Sequence, residues 1–172
     1  MIWNARFFEI SPVFETIGEP ARLFASFAAF PTPEEIDEVL RDRAPVRFVR
    51  KSQQDKSLYD ARIIADGIVP TRAGSWHDLL NALVWATFPL TKTALHRLQH
   101  ELVVPHAPAR TKEQDALAMV DEGGAFLAGG RVAIFGHAIY ESFVRGWQHP
   151  RAAGIRLPAG SDIDHVAADF LA

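Results

Sequence analysis

The sequence contains no cysteine among its 172 residues. This absence excludes disulfides, thiolate zinc sites and a cysteine nucleophile, so a metal ion would have to be bound by His, Asp or Glu. No apolar run approaches the roughly 20 residues that span a bilayer. The N-terminus has no basic segment followed by an apolar stretch and a small-residue cleavage site. We therefore expect no signal peptide, no membrane partner and a cytoplasmic location.

An excess of charge of one sign is also absent. The formal net charge is -3 and the pI is about 6.1, so the chain has no overall electrostatic attraction for nucleic acid. Basic residues are frequent between Arg41 and Lys56, but the acidic residues among them favour a solvated surface over a nucleic-acid patch. Nucleic acid is therefore not an expected partner.

Length and composition are those of one globular unit. The chain is long enough for one well-buried core and short for two ordinary domains, so we predict a single domain over residues 1–172. Its hydrophobic content of 48% and charged content of 23% are typical of a soluble globular protein. These quantities leave the oligomeric state open.

Aromatic and polar side chains are most concentrated between Ser75 and Lys92. Ser75 is a helix N-cap residue and Asp78 an acidic residue at the third helical position, and an apolar-periodic run follows directly. The pattern predicts a helix that begins at Trp76 and ends at Pro89. We expect the rest of the protein to pack around this central helix.

One side of the central helix combines polar and aromatic groups. Helical spacing places five side chains opposite its apolar face: His77, Asp78, Asn81, Trp85 and Phe88. Buried polar groups need partners, so a second layer of structure should contact this side. These groups are either structural, satisfied by capping and by main-chain atoms, or they form a pocket wall with Trp85 as its apolar floor.

The remaining patterns predict an α+β fold. Capping residues, prolines and apolar spacing predict helices over residues 12–17, stopped by Gly18, 21–30 after Pro20, 33–43 after Thr32, 92–103 after Thr91, 132–144, and at the end of the chain after Ser161. Apolar stretches predict strands over residues 46–50, 58–65, 115–120 and 125–128, with a hairpin turn over residues 121–124 and a proline-rich loop over residues 105–110. We expect N-terminal helices and a small, mostly antiparallel sheet packed against two central helices.

Two further groups of polar residues have helical spacing. His96 and His100 lie four residues apart, which suits a two-histidine metal face if a third ligand approaches, although solvent exposure explains the pair equally well. His137, Glu141 and Arg145 form a second stripe. That stripe is either a solvated salt-bridging surface or a histidine–carboxylate pair that faces the central helix.

Several spaced motifs together resemble one family. They are Val69-Pro-Thr-Arg72, Trp76-His-Asp78 with Asn81-Ala-Leu and Trp85, Phe88-Pro89 with Lys92, Asp115-Ala-Leu with Asp121-Glu122, and Phe135-Gly-His-Ala138 with Tyr140-Glu141. From about Leu58 to Glu141 the chain resembles the bacterial domain-of-unknown-function family 3025. That family has no established activity, so the resemblance implies no mechanism.

The chain departs from this family at one place. Family members have a longer, Trp-containing insertion before the Phe-Gly-His helix, where this chain has only residues 125–132. If a lid or a partner surface lies in that insertion of the family, this chain lacks it.

An enzyme is one expected function. We expect a cleft with catalytic candidates His77, Asp78, His137 and Glu141, in which a histidine acts as a base or as a ligand of a divalent metal. Such a site can activate water for hydrolysis of an anionic substrate such as a phosphoester. The sequence has no His-Glu-x-x-His helix, Gly-rich phosphate loop or serine elbow that would identify the reaction.

A non-catalytic binding protein is the alternative. In both hypotheses the ligand-binding candidates are Arg72, Asn81, Trp85, Lys92 and Asp121. In the alternative they surround an aromatic pocket for a small molecule or peptide. A purely structural or partner-docking role is a third hypothesis, and metal content separates the first hypothesis from the other two.

Overall fold

The computed structural model describes residues 2–52, 59–103, 111–147, 149–158 and 162–172. Two short 3-10 helices, Phe7–Glu9 and Pro12–Ile17, precede the regular elements. Those elements are α1 (Gly18–Arg22), α2 (Pro33–Leu40), β1 (Arg47–Arg50), α3 (Tyr59–Asp66), β2 (Ile68–Thr71), α4 (Trp76–Thr87), α5 (Pro89–Glu101), α6 (Lys112–Gly123), β3 (Gly124–Ala128), β4 (Arg131–Ile134), α7 (His137–Val144), β5 (Ala153–Arg156) and α8 (Ile163–Leu171). The α+β class is confirmed.

The predicted central helix is confirmed as α4. Ser75 Oγ accepts a hydrogen bond from the main-chain nitrogen of Asp78 at 3.3 Å and so caps its N-terminus. Residues 79–85 are all buried, because α1, α2, α5 and α7 contact this helix from different sides. The expected second layer over its polar side is therefore present. None of the described helices is long and apolar enough to cross a bilayer.

The described strands form two small sheets. β1 pairs with β2 in parallel, and β3 pairs with β4 antiparallel and with β5 in parallel. The expectation of mostly antiparallel pairing is therefore wrong for these strands. Gly129 and Gly130 connect β3 to β4 with φ values of 56° and 79°, which glycine adopts without strain.

The strand predicted over residues 58–65 is wrong. Tyr59 to Asp66 form the helix α3, which lies in the chain between the parallel strands β1 and β2. Parallel neighbours need a crossover connection, usually a helix, because the chain must return to the same end of the sheet. Leu58 lies outside the described residues.

The strand predicted over residues 115–120 is also wrong. These residues belong to α6, which begins with a capping box: Thr111 Oγ1 accepts from the nitrogen of Gln114, and Gln114 Oε1 accepts from the nitrogen of Thr111. Its Ala, Leu and Met residues also have strong helix propensity. The predicted turn over residues 121–124 is consequently the last turn of α6 and the start of β3.

Other boundaries differ from the predictions. Gly18 begins α1 instead of stopping a helix, Pro20 lies inside α1, and the regular helix ends at Arg22, so the helix over residues 21–30 is wrong. The helix predicted to begin at residue 132 begins at His137, because Arg131–Ile134 pair with β3.

The helix caps predicted at Thr91 and Ser161 are not the caps of the described helices. Pro89 begins α5, so Thr91 lies within that helix, where its hydroxyl donates to Asp164 instead of capping. The side chain of Asp162 caps α8. Ser161 and the loop over residues 105–110 lie outside the described residues.

A buried carboxylate joins α2 to β1. Asp37 accepts hydrogen bonds from Arg47 Nε at 2.8 Å and from the main-chain nitrogen of Phe48 at 2.8 Å, and its side chain is 7% exposed. Burial raises the pKa of Asp37, but these donors outweigh burial and leave the pKa below its ordinary value. The ionised carboxylate therefore stabilises the folded state.

We expect Asp37→Asn to make the free energy of unfolding less dependent on pH in the acid range. Because the folded-state pKa is lowered, the contribution of Asp37 is present above the unfolded-state pKa of about 3.9 and is lost as pH falls through the folded-state value. Urea unfolding of the variant at pH 7 should show a loss of about 1–2 kcal/mol, modest because Arg47 is largely exposed. The difference in the free energy of unfolding between the variant and the unsubstituted protein should shrink as the pH falls toward about 2. A constant difference across this range would contradict the assignment.

Candidate functional site

Three helix ends meet at one place in the structure. His77 lies in the first turn of α4, Glu122 in the last turn of α6, and His137 is the first residue of α7. Gly136 permits this meeting: a Cβ atom there would lie 2.5 Å from the main-chain oxygen of Glu122 and 2.5 Å from the nitrogen of Gly123. Glycine is thus required for α7 to start against the end of α6.

Three potential ligand atoms converge there. His77 Nε2 lies 3.1 Å from His137 Nε2, and Glu122 Oε2 lies 3.3 Å from His137 Nε2. One ligand atom from each of the three residues lies within 4.8 Å of the others. We call His77, Glu122 and His137 the two-histidine cluster.

The orientation of His77 is fixed by Glu141. His77 Nδ1 lies 3.0 Å from Glu141 Oε2, and Arg145 donates to the other oxygen of that carboxylate, Oε1. Burial raises the pKa of Glu141, but the bonds from Arg145 and His77 outweigh burial and lower it. An ionised carboxylate can only accept, so the hydrogen of neutral His77 is on Nδ1 and its Nε2 lone pair faces the cluster. Glu141 of the predicted stripe thus faces the central helix, where it pairs with His77 and not with the stripe's own His137, and it also forms an ion pair with Arg145.

His137 is neutral at physiological pH. Its side chain is 3% exposed, and burial lowers its pKa to about 3 despite the nearby charge of Asp121. Glu122 differs, since its side chain is half exposed, yet burial of the carboxylate and the charge of Asp121 raise its pKa. The cluster therefore combines the neutral imidazole of His137 with a carboxylate whose charge is poorly compensated, an environment that a cation would stabilise.

An open pocket of about 210 Å³ lies in front of the cluster. Its wall includes Lys51, Tyr59, Arg72 and Asn81 in addition to the cluster residues. The main-chain nitrogen of Lys51 donates to Thr71 at 2.9 Å, which fixes this residue beside β2. The pocket is therefore polar and has cationic groups on its wall.

Arg72 and Asp78 form a bidentate pair on that wall. Arg72 donates through Nε at 2.9 Å and Nη2 at 2.7 Å, and its main-chain nitrogen also donates to Asp78. Burial raises the pKa of Asp78, but the bonds from Arg72 outweigh burial and lower it. Nearby, Asn81 Nδ2 donates to the hydroxyl of Tyr59 at 3.0 Å. Asp78 thus holds a guanidinium at the pocket and is not itself free to act as a base.

Two predicted ligand-binding side chains lie behind the pocket. Trp85 and Lys92 are both fully buried, because α5 covers this part of α4. Lys92 Nζ lies 2.5 Å from Asp121 Oδ1 and 5.4 Å from the centre of the Trp85 ring. Trp85 therefore does not line the pocket. Asp121 does line the pocket, and Lys92 contacts the pocket through Asp121.

The second histidine pair does not form a metal face. His96 is 1% exposed and stacks on Trp85 with ring centres 5.3 Å apart, whereas His100, one turn further along α5, is exposed. Solvent exposure therefore explains only His100. His96 belongs to the packing around Lys92.

Sequence reasoning missed the central role of Glu122. It assigned Glu122 to a hairpin turn, whereas the residue lies at the end of α6 beside His137. Tyr59 and Lys51 were missed as pocket residues as well. The capping box at Thr111 is the signal that would have identified α6 as a helix.

Fold and cluster together define an α+β protein with a convergent set of two imidazoles and one carboxylate. A family model described as "Protein of unknown function (DUF3025)" matches residues 46–133, about half of the chain, and the chain belongs to this family. The matched segment contains His77 and Glu122 and ends before His137 and Glu141. Neither a curated protein nor a solved structure matches the chain.

Proposed function

We propose that the protein is a hydrolase that uses one divalent metal ion to cleave an anionic substrate. The observation that supports this proposal is the convergence of ligand atoms from His77, Glu122 and His137 within 4.8 Å of one another. Two imidazoles and one carboxylate are a ligand set of catalytic zinc sites, which keep a further position open for water.

The spacing of the ligand atoms fits zinc. Bonds of about 2.0–2.1 Å at tetrahedral angles place neighbouring ligand atoms about 3.3 Å apart. The two Nε2 atoms are 3.1 Å apart, and Glu122 Oε2 is 3.3 Å from His137 Nε2. Two of the three separations therefore match one tetrahedral ion, and the third, between His77 and Glu122, is within 4.8 Å.

The surrounding residues fit the same function. Glu141 fixes the ring of His77 through Nδ1, as the outer partners of metal-bound histidines do. Burial keeps His137 neutral, which leaves a lone pair for the metal. A bound divalent ion would supply polarisation of the substrate and a water of lowered pKa. Lys51 and Arg72 would attract and orient the anionic group of the substrate.

Metal content tests the proposal. Purified protein would be incubated with zinc, manganese or magnesium, freed of unbound metal and analysed for bound elements. We expect about one zinc ion per chain for the unsubstituted protein and at most about a tenth of that for His77→Ala, Glu122→Gln and His137→Ala. His100→Ala is the matched control, since this histidine is exposed on α5 outside the cluster, and should retain the ion.

Two results would contradict the proposal. Unsubstituted protein that stays free of metal would exclude the metal site, provided that circular dichroism shows a folded chain. Stoichiometric zinc without turnover of carboxylic esters, amides or phosphomonoesters would exclude the hydrolase and favour a binding role.

A further inference from the structure

A second depression in the surface adjoins the two-histidine cluster. It is a groove of about 260 Å³ between α6 and α7, and its lining includes Met119, Glu122, Ala138, Ile139, Trp147 and Pro150. Glu122 lines both this groove and the polar pocket. The two depressions therefore share a residue of the cluster.

The groove exposes unusual apolar surface. The side chains of Met119 and Trp147 are 61% and 66% exposed, although both are large and apolar. Met119 lies one helical turn before Glu122 on α6, Trp147 follows the end of α7, and both line the groove. Contiguous exposed apolar surface next to a polar site is typical of a ligand-binding region.

The polar pocket on the other side of the cluster has positively charged groups on its wall. Lys51 forms no ion pair with any described residue, and it is exposed at the pocket. Arg72 is held at the same wall by Asp78 with its side chain 57% exposed. Positive groups therefore lie on the pocket side of Glu122, and the groove on its other side is mainly apolar, with Arg151 also on its lining. The two surfaces complement a molecule that has both an acid group and an apolar group.

We propose that the substrate is amphipathic: an acid group binds at Lys51 and Arg72, an acyl or aryl group lies in the groove between Met119 and Trp147, and the amide or ester bond that joins them lies at the two-histidine cluster. This inference rests on the proposed hydrolase function. For an amide, the oxygen of water bonds to the acyl carbon and the carbon–nitrogen bond breaks. The protons of the water leave with the amine as ammonium, and the acyl product is a carboxylate.

Binding of three probes to metal-free protein tests the shape and charge of the ligand. The probes are N-octanoylglycine, N-acetylglycine without the long chain, and N-octanoylglycinamide without the acid group. By calorimetry, N-octanoylglycine should bind at least about tenfold more tightly than N-acetylglycine, because additional methylene groups leave water. N-octanoylglycine should also bind at least about tenfold more tightly than N-octanoylglycinamide, because N-octanoylglycinamide lacks the negative charge that pairs with Lys51 and Arg72.

Variants of surface residues test whether the octanoyl chain binds in the groove and whether the acid group binds in the polar pocket. Met119→Ser and Trp147→Ser should reduce the advantage of the octanoyl chain, and Lys51→Gln should reduce the advantage of the acid group. Val132→Ser is the matched control, since Val132 is 59% exposed but lies outside the groove. Retention of both advantages in all variants would overturn the placement.

The outcomes separate this inference from the hydrolase proposal. Similar affinities of the three probes, or no binding at millimolar concentration, would overturn the amphipathic ligand even if the protein binds zinc. Cleavage of N-octanoylglycine by zinc-loaded protein, faster than that of N-acetylglycine, would support both proposals. Failure of zinc binding would remove the hydrolase, whereas the affinities of the metal-free protein would still decide the ligand class.

Discussion

Lys92→Met is expected to lower the free energy of unfolding by about 3–5 kcal/mol. Lys92 is fully buried, and its ammonium contacts the carboxylate of Asp121 and the ring faces of Trp85 and Phe135. Burial raises the pKa of Asp121, but the charge and hydrogen bond of Lys92, together with two nearby histidines, outweigh burial and keep the pKa well below its ordinary value. Removal of the ammonium would leave an uncompensated carboxylate in the interior.

A double-mutant cycle distinguishes a charge effect from a packing effect. Methionine has a similar length to lysine, so Lys92→Met removes the charge with little change in volume. Lys92→Met combined with Asp121→Asn should lose clearly less stability than the sum of the two single variants, because no unpaired charge remains. Equilibrium urea unfolding measures all four proteins.

An exposed pair provides the control for this prediction. Arg50 and Glu34 form an ion pair with side chains 51% and 61% exposed. Arg50→Met should therefore cost less than about 1 kcal/mol. If Lys92→Met cost no more than Arg50→Met, the buried pair would not have the stabilising role that its geometry indicates.

Local signals predicted those elements whose ends are fixed by neighbouring residues. Ser75 and Thr32 cap α4 and α2 through hydrogen bonds to residues three positions ahead, so both starts could be recognised in the sequence. The strand β1 was similarly recognisable from its alternation. In each case the interaction that defines the element lies within a few residues.

Other elements depend on contacts that are distant in sequence. The stretch from Ala116 to Val120 is short and apolar, and apolar periodicity alone does not separate a buried strand from a helix over such a length. The strand β4 exists because it pairs with β3, and this pairing delays the start of α7 to His137. Apolar periodicity could not decide between these alternatives, although the capping box at Thr111 does favour a helix for α6.

The candidate site shows the same division. His77, His137 and Glu141 were identified from helical spacing, and the structure brings them together although 60 and 64 residues separate the contacting pairs. Glu122 was missed because its role depends on the end of α6 meeting the start of α7. Its assignment to a turn followed directly from the wrong assignment of α6.

Gly136→Ala is expected to weaken the proposed zinc binding by about ten- to a hundredfold and to lower the free energy of unfolding by about 1–3 kcal/mol. The added Cβ atom would lie 2.5 Å from the main-chain oxygen of Glu122 and from the main-chain nitrogen and Cα of Gly123. These atoms belong to the backbone, so α7 must move away from the end of α6. That movement separates His137 from Glu122, whose ligand atoms are 3.3 Å apart.

Gly123→Ala is a matched control for that substitution. Gly123 lies across the same contact, but a Cβ atom on it would meet no described atom within 4 Å. This variant should retain zinc affinity and should not lose stability, because alanine is favoured over glycine in a helix. Zinc titration and urea unfolding of both variants measure the difference. Equal zinc affinities for Gly136→Ala and Gly123→Ala would show that the close approach of α7 to α6 does not set the ligand geometry.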